Sequence, residues 1–252
     1  MIAPALIVLA LLGGWELYVD LGGVDPLVLP APHEVAQSLW NDSSLLWTNF
    51  AVTAQEIVLG ILVALVAGLL FAVLIHFSRV VRRAVYPLLV TSQTIPIVII
   101  APLLVFWLGI GIAPKLAIVG LICFFPVVVA TQDALARVDP ELRKLMRTLD
   151  ASRAQTFRWV ELPAALPGLM SGARIAFIVA VIGAVLAEQG SATEGTGGLG
   201  HLIVYANGEL APAQAWAAVV LLSALALLLF AALGAVERTL MPWTRSTREE
   251  PA

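Results

Sequence analysis

A short polar group lies inside a long apolar stretch of the sequence and is its first candidate for contact with a solute. Ser92, Gln93 and Thr94 are separated from Pro96 by one residue, Ile95. A proline frees a backbone carbonyl, and such breaks are tolerated at membrane depth where a helix faces protein or a water-filled cavity. We therefore predict that these residues line a translocation path. Hydrogen bonding between helices is the alternative.

Glu188 is the second candidate, and it follows a ladder of small residues. The ladder recurs at every fourth position: Gly168, Gly172, Ala176, Ala180 and Ala184. Such residues share a helix face and let another helix approach closely. A carboxylate at the end of an apolar span is costly unless it meets water, a protein partner or a substrate. Three roles stay open for Glu188: an interfacial acid in water, a hydrogen bond to the Gly-rich segment 190–200, or a place on the path.

The sequence contains no grouping of residues typical of an enzyme or a metal site. The histidines, His33, His76 and His201, are scattered without ligand spacing. The one cysteine, Cys123, is expected to be a small buried hydrophobe. No lysine follows a G-x-x-x-x-G segment, so a P-loop is absent. We expect no catalytic residue, metal or cofactor, and any ATP must be hydrolysed on a partner chain.

Composition predicts an all-α integral membrane protein. Of the 252 residues 60% are hydrophobic and 12% charged, with a mean hydropathy of +0.96. Soluble domains carry about a quarter charged residues. Six spans are predicted, at 2–19, 50–77, 86–108, 115–131, 166–188 and 213–236, with short helices at 33–47 and 202–210. A cleaved signal peptide is the alternative for the first span, but no basic segment precedes it.

Basic residues predict the orientation of the spans. All but one of the Lys and Arg residues lie in or next to alternate loops or the C-terminal tail, and the exception is Lys115. By the positive-inside rule these loops are cytoplasmic, which places both termini inside a multi-pass plasma or inner membrane protein.

The most polar segment between two spans, residues 139–163, predicts two short helices joined by a tight turn. Asp139 and Pro140 suit the N-cap and first position of one helix, and Ser152 with Gln155 forms a capping box for the next. Apolar side chains at helical spacing form one stripe on the first helix: Leu142, Leu145, Met146 and Leu149. The second helix carries Phe157 and Val160, and we expect Pro163 to stop it.

At these residues a family resemblance becomes specific. The segment TLDASRAQTFRWVELPAALPGLMSGARIA resembles the cytoplasmic loop of type I ABC-importer permeases, the inner-membrane components of binding-protein-dependent transport. The end Val160-Glu161-Leu162-Pro163 matches that loop. At its front Lys144-Leu145-Met146 replaces the usual Glu-Ala-Ala, and Asp150 stands where Gly is usual.

The resemblance implies that successive segments of the chain have different roles. Residues 1–48 would hold a first span and an extracytoplasmic linker, 49–240 the permease core, and 241–252 a cytoplasmic tail. The polar loop would bind the ATPase through one set of residues: Leu142, Leu145, Met146, Arg147, Leu149, Asp150, Ala151, Ser152, Phe157, Val160 and Pro163.

Partners and solute also follow from the resemblance. ABC ATPase subunits, an extracytoplasmic solute-binding protein and a second permease copy are implied, with a homodimer favoured over a heterodimer. The string SQTIPIVIIAPLLVFWLGIGIAPK is similar to permeases for sulfonates, nitrate and small heterocycles, among them pyrimidine precursors of thiamine. A stand-alone channel or secondary transporter is the alternative function, although such transporters usually carry repeats and embedded ion-coupling residues.

Overall fold

Regular structure in the described part of the chain is entirely helical. The computed structural model describes residues 2–190 and 197–241. Eleven α-helices and one π-helical turn follow in order: α1 Ile2–Gly22, α2 Pro32–Asn41, α3 Ser43–Phe77, α4 Arg79–Ser92, α5 Ile97–Leu108, α6 Ile112–Ala136, α7 Pro140–Thr148, α8 Arg153–Thr156, the π-turn Phe157–Glu161, α9 Leu162–Gln189, α10 Leu199–Gly208 and α11 Pro212–Leu240. Most of the predicted Gly-rich segment 190–200 and all but the first residue of the tail 241–252 lie outside the described residues.

Four helices are long and apolar enough to cross a membrane, and a bent pair adds a fifth candidate. The four are Ser43–Phe77, Ile112–Ala136, Arg153–Gln189 and Pro212–Leu240. The pair Val80–Ser92 and Ile97–Leu108 bends by 100°. The predicted third span, 86–108, therefore exists as two helices that meet at the polar group. The architecture is an all-helical membrane protein with four to five candidate spans.

The predicted helix 33–47 was wrong as a single element, because the chain breaks at Asp42. There α2 ends at Asn41 and α3 begins at Ser43. Asp42 accepts a hydrogen bond from the Ser38 hydroxyl at 2.7 Å. Short polar side chains that bond locally compete with the helix ladder, so the helix axis changes at this residue.

Pro163 was predicted to stop the second polar helix, and this prediction was wrong. Arg153–Gln189 runs as one long helix, with Pro163 in the first turn of α9. Just upstream the Leu162 N–H bonds to the Phe157 carbonyl five residues back, which is a π-type bond. A widened turn before the proline lets the helix pass through a residue that lacks an N–H.

The core is built where α6 packs between α3 and α9. The small-residue ladder of α9 makes this approach possible, as predicted. A Cβ added at Gly172 would lie 2.7 Å from Ala130 Cβ and 2.8 Å from the Pro126 carbonyl. Further along the ladder Ala176, Ala180 and Ala184 have no exposed surface. The backbones of α6 and α9 therefore lie in close contact and hold the two ends of the bundle in register.

Candidate functional site

Helix α7 carries an apolar stripe that stays exposed among the residues the structure describes. Its start is fixed as predicted, because the Asp139 side chain accepts from the Glu141 N–H at 2.8 Å and Pro140 occupies the first position. No residue of α7 is buried. Leu142, Leu145 and Leu149 are 42%, 55% and 67% exposed. Packing of the stripe against the chain's own spans, the competing explanation, is not observed.

The turn after α7 is short and held at both ends. Asp150 has φ +51°, in the left-handed region. The Ala151 N–H bonds to the Met146 carbonyl at 3.0 Å and the Asp150 N–H to Arg147 at 3.1 Å. This is the Schellman pattern, in which glycine usually occupies the left-handed position. The sequence correctly located Asp150 at that position.

The second half of the element begins with the predicted capping box. Ser152 Oγ accepts from the Gln155 N–H at 3.2 Å, and the Gln155 side chain accepts from the Ser152 N–H at 2.7 Å. With both ends capped, α7 and α8 are joined by a turn that leaves little backbone freedom. The exposed leucines are therefore presented on a stiff support.

The remaining residues predicted to bind an ATPase divide between surface and interior. Arg147 and Pro163 are exposed, whereas Met146, Ala151 and Val160 are half-buried. The Phe157 ring packs against Phe77 at 5.0 Å and His76 at 5.8 Å between ring centroids. Phe157 thus faces the end of α3 and supports the element from behind.

Glu161 joins three elements of this region, a role that no pattern in the sequence predicted. One carboxylate oxygen accepts from Arg143 Nε of α7 at 2.6 Å. The other lies 2.8 Å from His76 Nε2 at the end of α3. Arg143 also donates to the Leu135 carbonyl in the last turn of α6, at 2.7 Å. Since His76 and Glu161 are 85 residues apart, no local pattern connects them.

The break between α4 and α5 brings part of the polar group to a cavity. Ser92 and Gln93 line a cavity of about 390 Å³ together with apolar side chains of α5, α6 and α9. The Ser92 hydroxyl donates to the Leu89 carbonyl at 2.7 Å and Thr94 to the Thr91 carbonyl at 2.8 Å. Gln93 is exposed. Thr94 is not among the residues that line this cavity.

Glu188 is fully buried and holds the chain where α10 begins. Its two oxygens accept from Thr53 Oγ1 at 2.6 Å and from the Gly200 N–H at 2.5 Å. Thr53 in turn accepts from the Leu199 N–H at 2.8 Å. Of the three roles left open, the hydrogen bond to the Gly-rich segment is observed. Contact with water is not, because Glu188 has no exposed surface in the single chain.

Lys115 also bonds to this segment, although the sequence indicated only a residue near the outer surface. Its Nζ donates to Glu56 at 2.7 Å and to the Gly197 carbonyl at 3.0 Å. Both members of the ion pair are buried. Asn49 Oδ1 accepts from the Gly198 N–H at 2.7 Å. Four side chains thus fix Gly197–Gly200 against α3, α6 and α9.

The fold brings one histidine close to two acids, which spacing did not predict. Glu16, Asp20 and His33 offer ligand atoms within 4.8 Å of one another. His33 Nδ1 lies 2.6 Å from Glu16, and this hydrogen bond raises the pKa of His33 above its usual value. Neighbouring carboxylates favour the protonated imidazole in the same way.

Comparison with known proteins decides the family. Residues 57–242 match the family described as "Binding-protein-dependent transport system inner membrane component". The chain belongs to this family. It is the permease subunit of a binding-protein-dependent ABC importer for small organic solutes, a non-catalytic component of the inner membrane. Such permeases associate with an ATPase and a binding protein, so the alternative of a stand-alone channel or secondary transporter is set aside.

Named relatives cover nearly the whole chain. A "Probable ABC transporter permease protein" of Haemophilus influenzae is 40% identical over 230 residues, 91% of this chain and 93% of its own length. The "Formylaminopyrimidine transport permease protein ThiX" of Halalkalibacterium halodurans is 35% identical over 243 residues, 96% of each chain. "Taurine transport system permease protein TauC" of Escherichia coli is 30% identical over 240 residues, 92% of this chain and 86% of its own.

A solved structure shows the same fold. It is described as an inward-facing conformation of the MetNI methionine ABC transporter. The TM-score is 0.64 at 22% identity, over 84% of this chain and 98% of the other. The permease therefore shares the helical fold of the matched chain of that transporter.

Proposed function

We propose that the permease binds its ATPase through the surface formed by α7, the Asp150 turn and α8, here called the coupling element. The single observation that carries this proposal is the exposed stripe of Leu142, Leu145 and Leu149 on a stiffly capped support. Burying one such leucine in a groove contributes about 1.5–3 kcal/mol. The stripe is exposed in the single chain, and burying it against a partner would stabilise the complex.

The solute path passes the break between α4 and α5. The cavity lined by Ser92 and Gln93 lies where the span changes direction by 100°. A polar amide in an otherwise apolar cavity suits a small solute with hydrogen-bonding groups. Thr94 adjoins this cavity in sequence, and a second copy of the permease completes the path. Glu188 would act at the outer end by holding the segment that precedes α10.

Six spans are proposed, with α1 as the sixth beside the four long helices and the bent pair. Its exposed leucines suit lipid contact. Cytoplasmic termini are part of this proposal, which the basic residues of the coupling element and of the end of α11 support by the positive-inside rule. The binding protein would then dock at the surface formed by α2 and by the start of α11.

The solute is proposed to be a small nitrogen heterocycle of the pyrimidine-precursor type. The 35% identity to a formylaminopyrimidine permease over 96% of both chains supports this choice over a sulfonate or nitrate. Isothermal titration of the partner binding protein with formylaminopyrimidine and with taurine would separate the two classes. Binding of taurine alone would overturn the proposed solute.

The docking proposal is tested by Leu149→Asp. A carboxylate forced into an apolar groove stays unpaired and costs several kcal/mol, so ATPase association and ATP-driven uptake should both be lost. Since Leu149 is 67% exposed, the permease itself should keep its detergent stability. The readouts are ATPase copurification and the thermal unfolding midpoint of the permease. An importer that keeps its ATPase with Leu149→Asp would refute the docking role.

A matched control is available on the opposite end of the bundle. Leu210 is also an exposed leucine, at 69%. Like the turn beside Leu149, its turn contains a left-handed residue, which here is Leu210 itself with φ +56°. Leu210→Asp should leave ATPase copurification unchanged. Asp150→Gly should also be tolerated, because glycine adopts the left-handed conformation with the least strain.

A further inference from the structure

Helix α7 is held in place by very few contacts with the membrane-spanning helices. None of its residues is buried, and its apolar stripe points away from the chain. A helix that must pass force between two proteins cannot rely on an uncovered surface for its own position. Its attachment therefore has to come from its ends or from particular side chains.

Arg143 supplies such an attachment from the middle of the helix. It donates to Glu161 from Nε at 2.6 Å and to the Leu135 carbonyl from Nη2 at 2.7 Å. The carbonyls in the last turn of a helix lack intrahelical partners and carry the negative end of the helix dipole. One guanidinium thus binds α7 to the end of α6 and to the π-turn within the long helix Arg153–Gln189.

Glu161 extends the attachment to a third span. Its second oxygen meets His76 Nε2 at 2.8 Å, and the Phe157 ring covers His76 and Phe77 on the same side. The carboxylate is 10% exposed at its side chain, against 18% for His76 and 29% for Arg143. A largely buried carboxylate with two partners on different elements resists separation of those elements.

We propose that Glu161, through its pair with Arg143, is the positioning residue that makes the ends of α3 and α9 move with α7 and with the end of α6 that Arg143 itself holds. This inference rests on the proposed coupling role of α7. Glu161 does not bind the ATPase in this scheme and does not touch the solute. Its function is to convert a displacement of α7 into one common displacement of three span ends, which an unattached α7 would not transmit.

The test uses the importer assembled with its ATPase and binding protein in proteoliposomes. Glu161→Gln keeps the side-chain shape and removes the charge that Arg143 and His76 share. We expect ATPase copurification and ATP hydrolysis to persist while the solute transported per ATP falls about tenfold, since removing one partner of a buried pair is strongly disruptive. Arg143 is more exposed than Glu161, so Arg143→Gln should disturb folding less. It should give the same loss of solute transported per ATP.

A structural readout separates a loosened link from general destabilisation. Hydrogen exchange in the assembled importer should rise at the amides of residues 141–148 in both variants and stay unchanged in the core of α6 and α9. Lys144→Gln is the matched control, because within residues 2–190 and 197–241 this neighbouring cation on α7 pairs only with the exposed Glu141. It should change neither the transport ratio nor the exchange.

Two results would overturn the inference. One is a transport ratio that is normal in Glu161→Gln and Arg143→Gln. The other is loss of the ATPase from either complex, which would make the residue a docking contact. Failure of the docking proposal itself is recognised separately, as ATPase retained by Leu149→Asp.

Discussion

Lys115 and Glu56 form a buried ion pair beside the start of α10. Their 2.7 Å contact joins α6 to α3, and the same ammonium holds the Gly197 carbonyl at 3.0 Å. Taking two charges out of water is costly, and the pair is stable only while both members are present. The segment before α10 therefore depends on a charge balance among Lys115, Glu56 and the neighbouring Glu188.

Loss of one member of this pair should cost far more than loss of both. Lys115→Met leaves the Glu56 carboxylate buried without its cation, and we expect a loss of about 3–5 kcal/mol in stability. The double variant Glu56→Leu with Lys115→Met should recover a large part of this loss. Thermal unfolding of the purified permease in detergent measures both, and equal midpoints for the single and double variants would contradict the expectation.

Sequence reasoning was weakest for contacts between individual residues that are far apart in the chain. Glu56 and Lys115 are 59 residues apart, and His76 and Glu161 are 85 apart. From the sequence, Glu56 was the single acid of a predicted span, His76 was one of three scattered histidines, and neither residue had an assigned partner. Only the packing of α3, α6 and α9 brings the partners within hydrogen-bonding distance. No pattern within one helix carries that information.

Local signals predicted elements well because they act over a few residues. The Asp139–Pro140 start, the Ser152–Gln155 capping box and the left-handed Asp150 are each complete within one turn of chain. The small-residue ladder likewise predicted the close approach of α9 to another helix. Pro163 failed as a helix stop because the effect of a proline depends on the turn before it, and a π-turn was not foreseen.

The break between α4 and α5 leads to a prediction about Gln93 and the cavity that it lines. Gln93→Leu should reduce solute uptake strongly while assembly and ATPase binding stay normal, because it removes the amide from a cavity otherwise lined by apolar groups and Ser92. The measurement is uptake into proteoliposomes at matched permease content. Thr91→Val, a polar loss in the same helix outside that cavity, is the control. Normal uptake with Gln93→Leu would return the polar group to helix–helix hydrogen bonding.

For the whole molecule, the distribution of charge predicts which end of the bundle faces the cytoplasm. Cysteines at Asn41 and Gly208 should react with an impermeant maleimide added to intact cells, and one at Ala154 should react only after lysis. Gly208 has open space around its Cβ position, whereas a Cβ at Gly197 would meet Asn49 Oδ1 at 2.6 Å. The native Cys123 is buried and should stay silent. Labelling at Ala154 in intact cells would reverse the orientation.

The π-turn Phe157–Glu161 has a consequence for the geometry of the complete importer. Successive residues of an α-helix are offset by about 100° around its axis, so one extra residue rotates everything before it relative to everything after it by that angle. The turn lies between the coupling element and the part of α9 whose Val179 lines the cavity beside the polar group. The π-turn therefore sets a fixed angle between two faces of the long helix. One is the face that α8 presents at the coupling element, and the other is the face that α9 presents to the cavity.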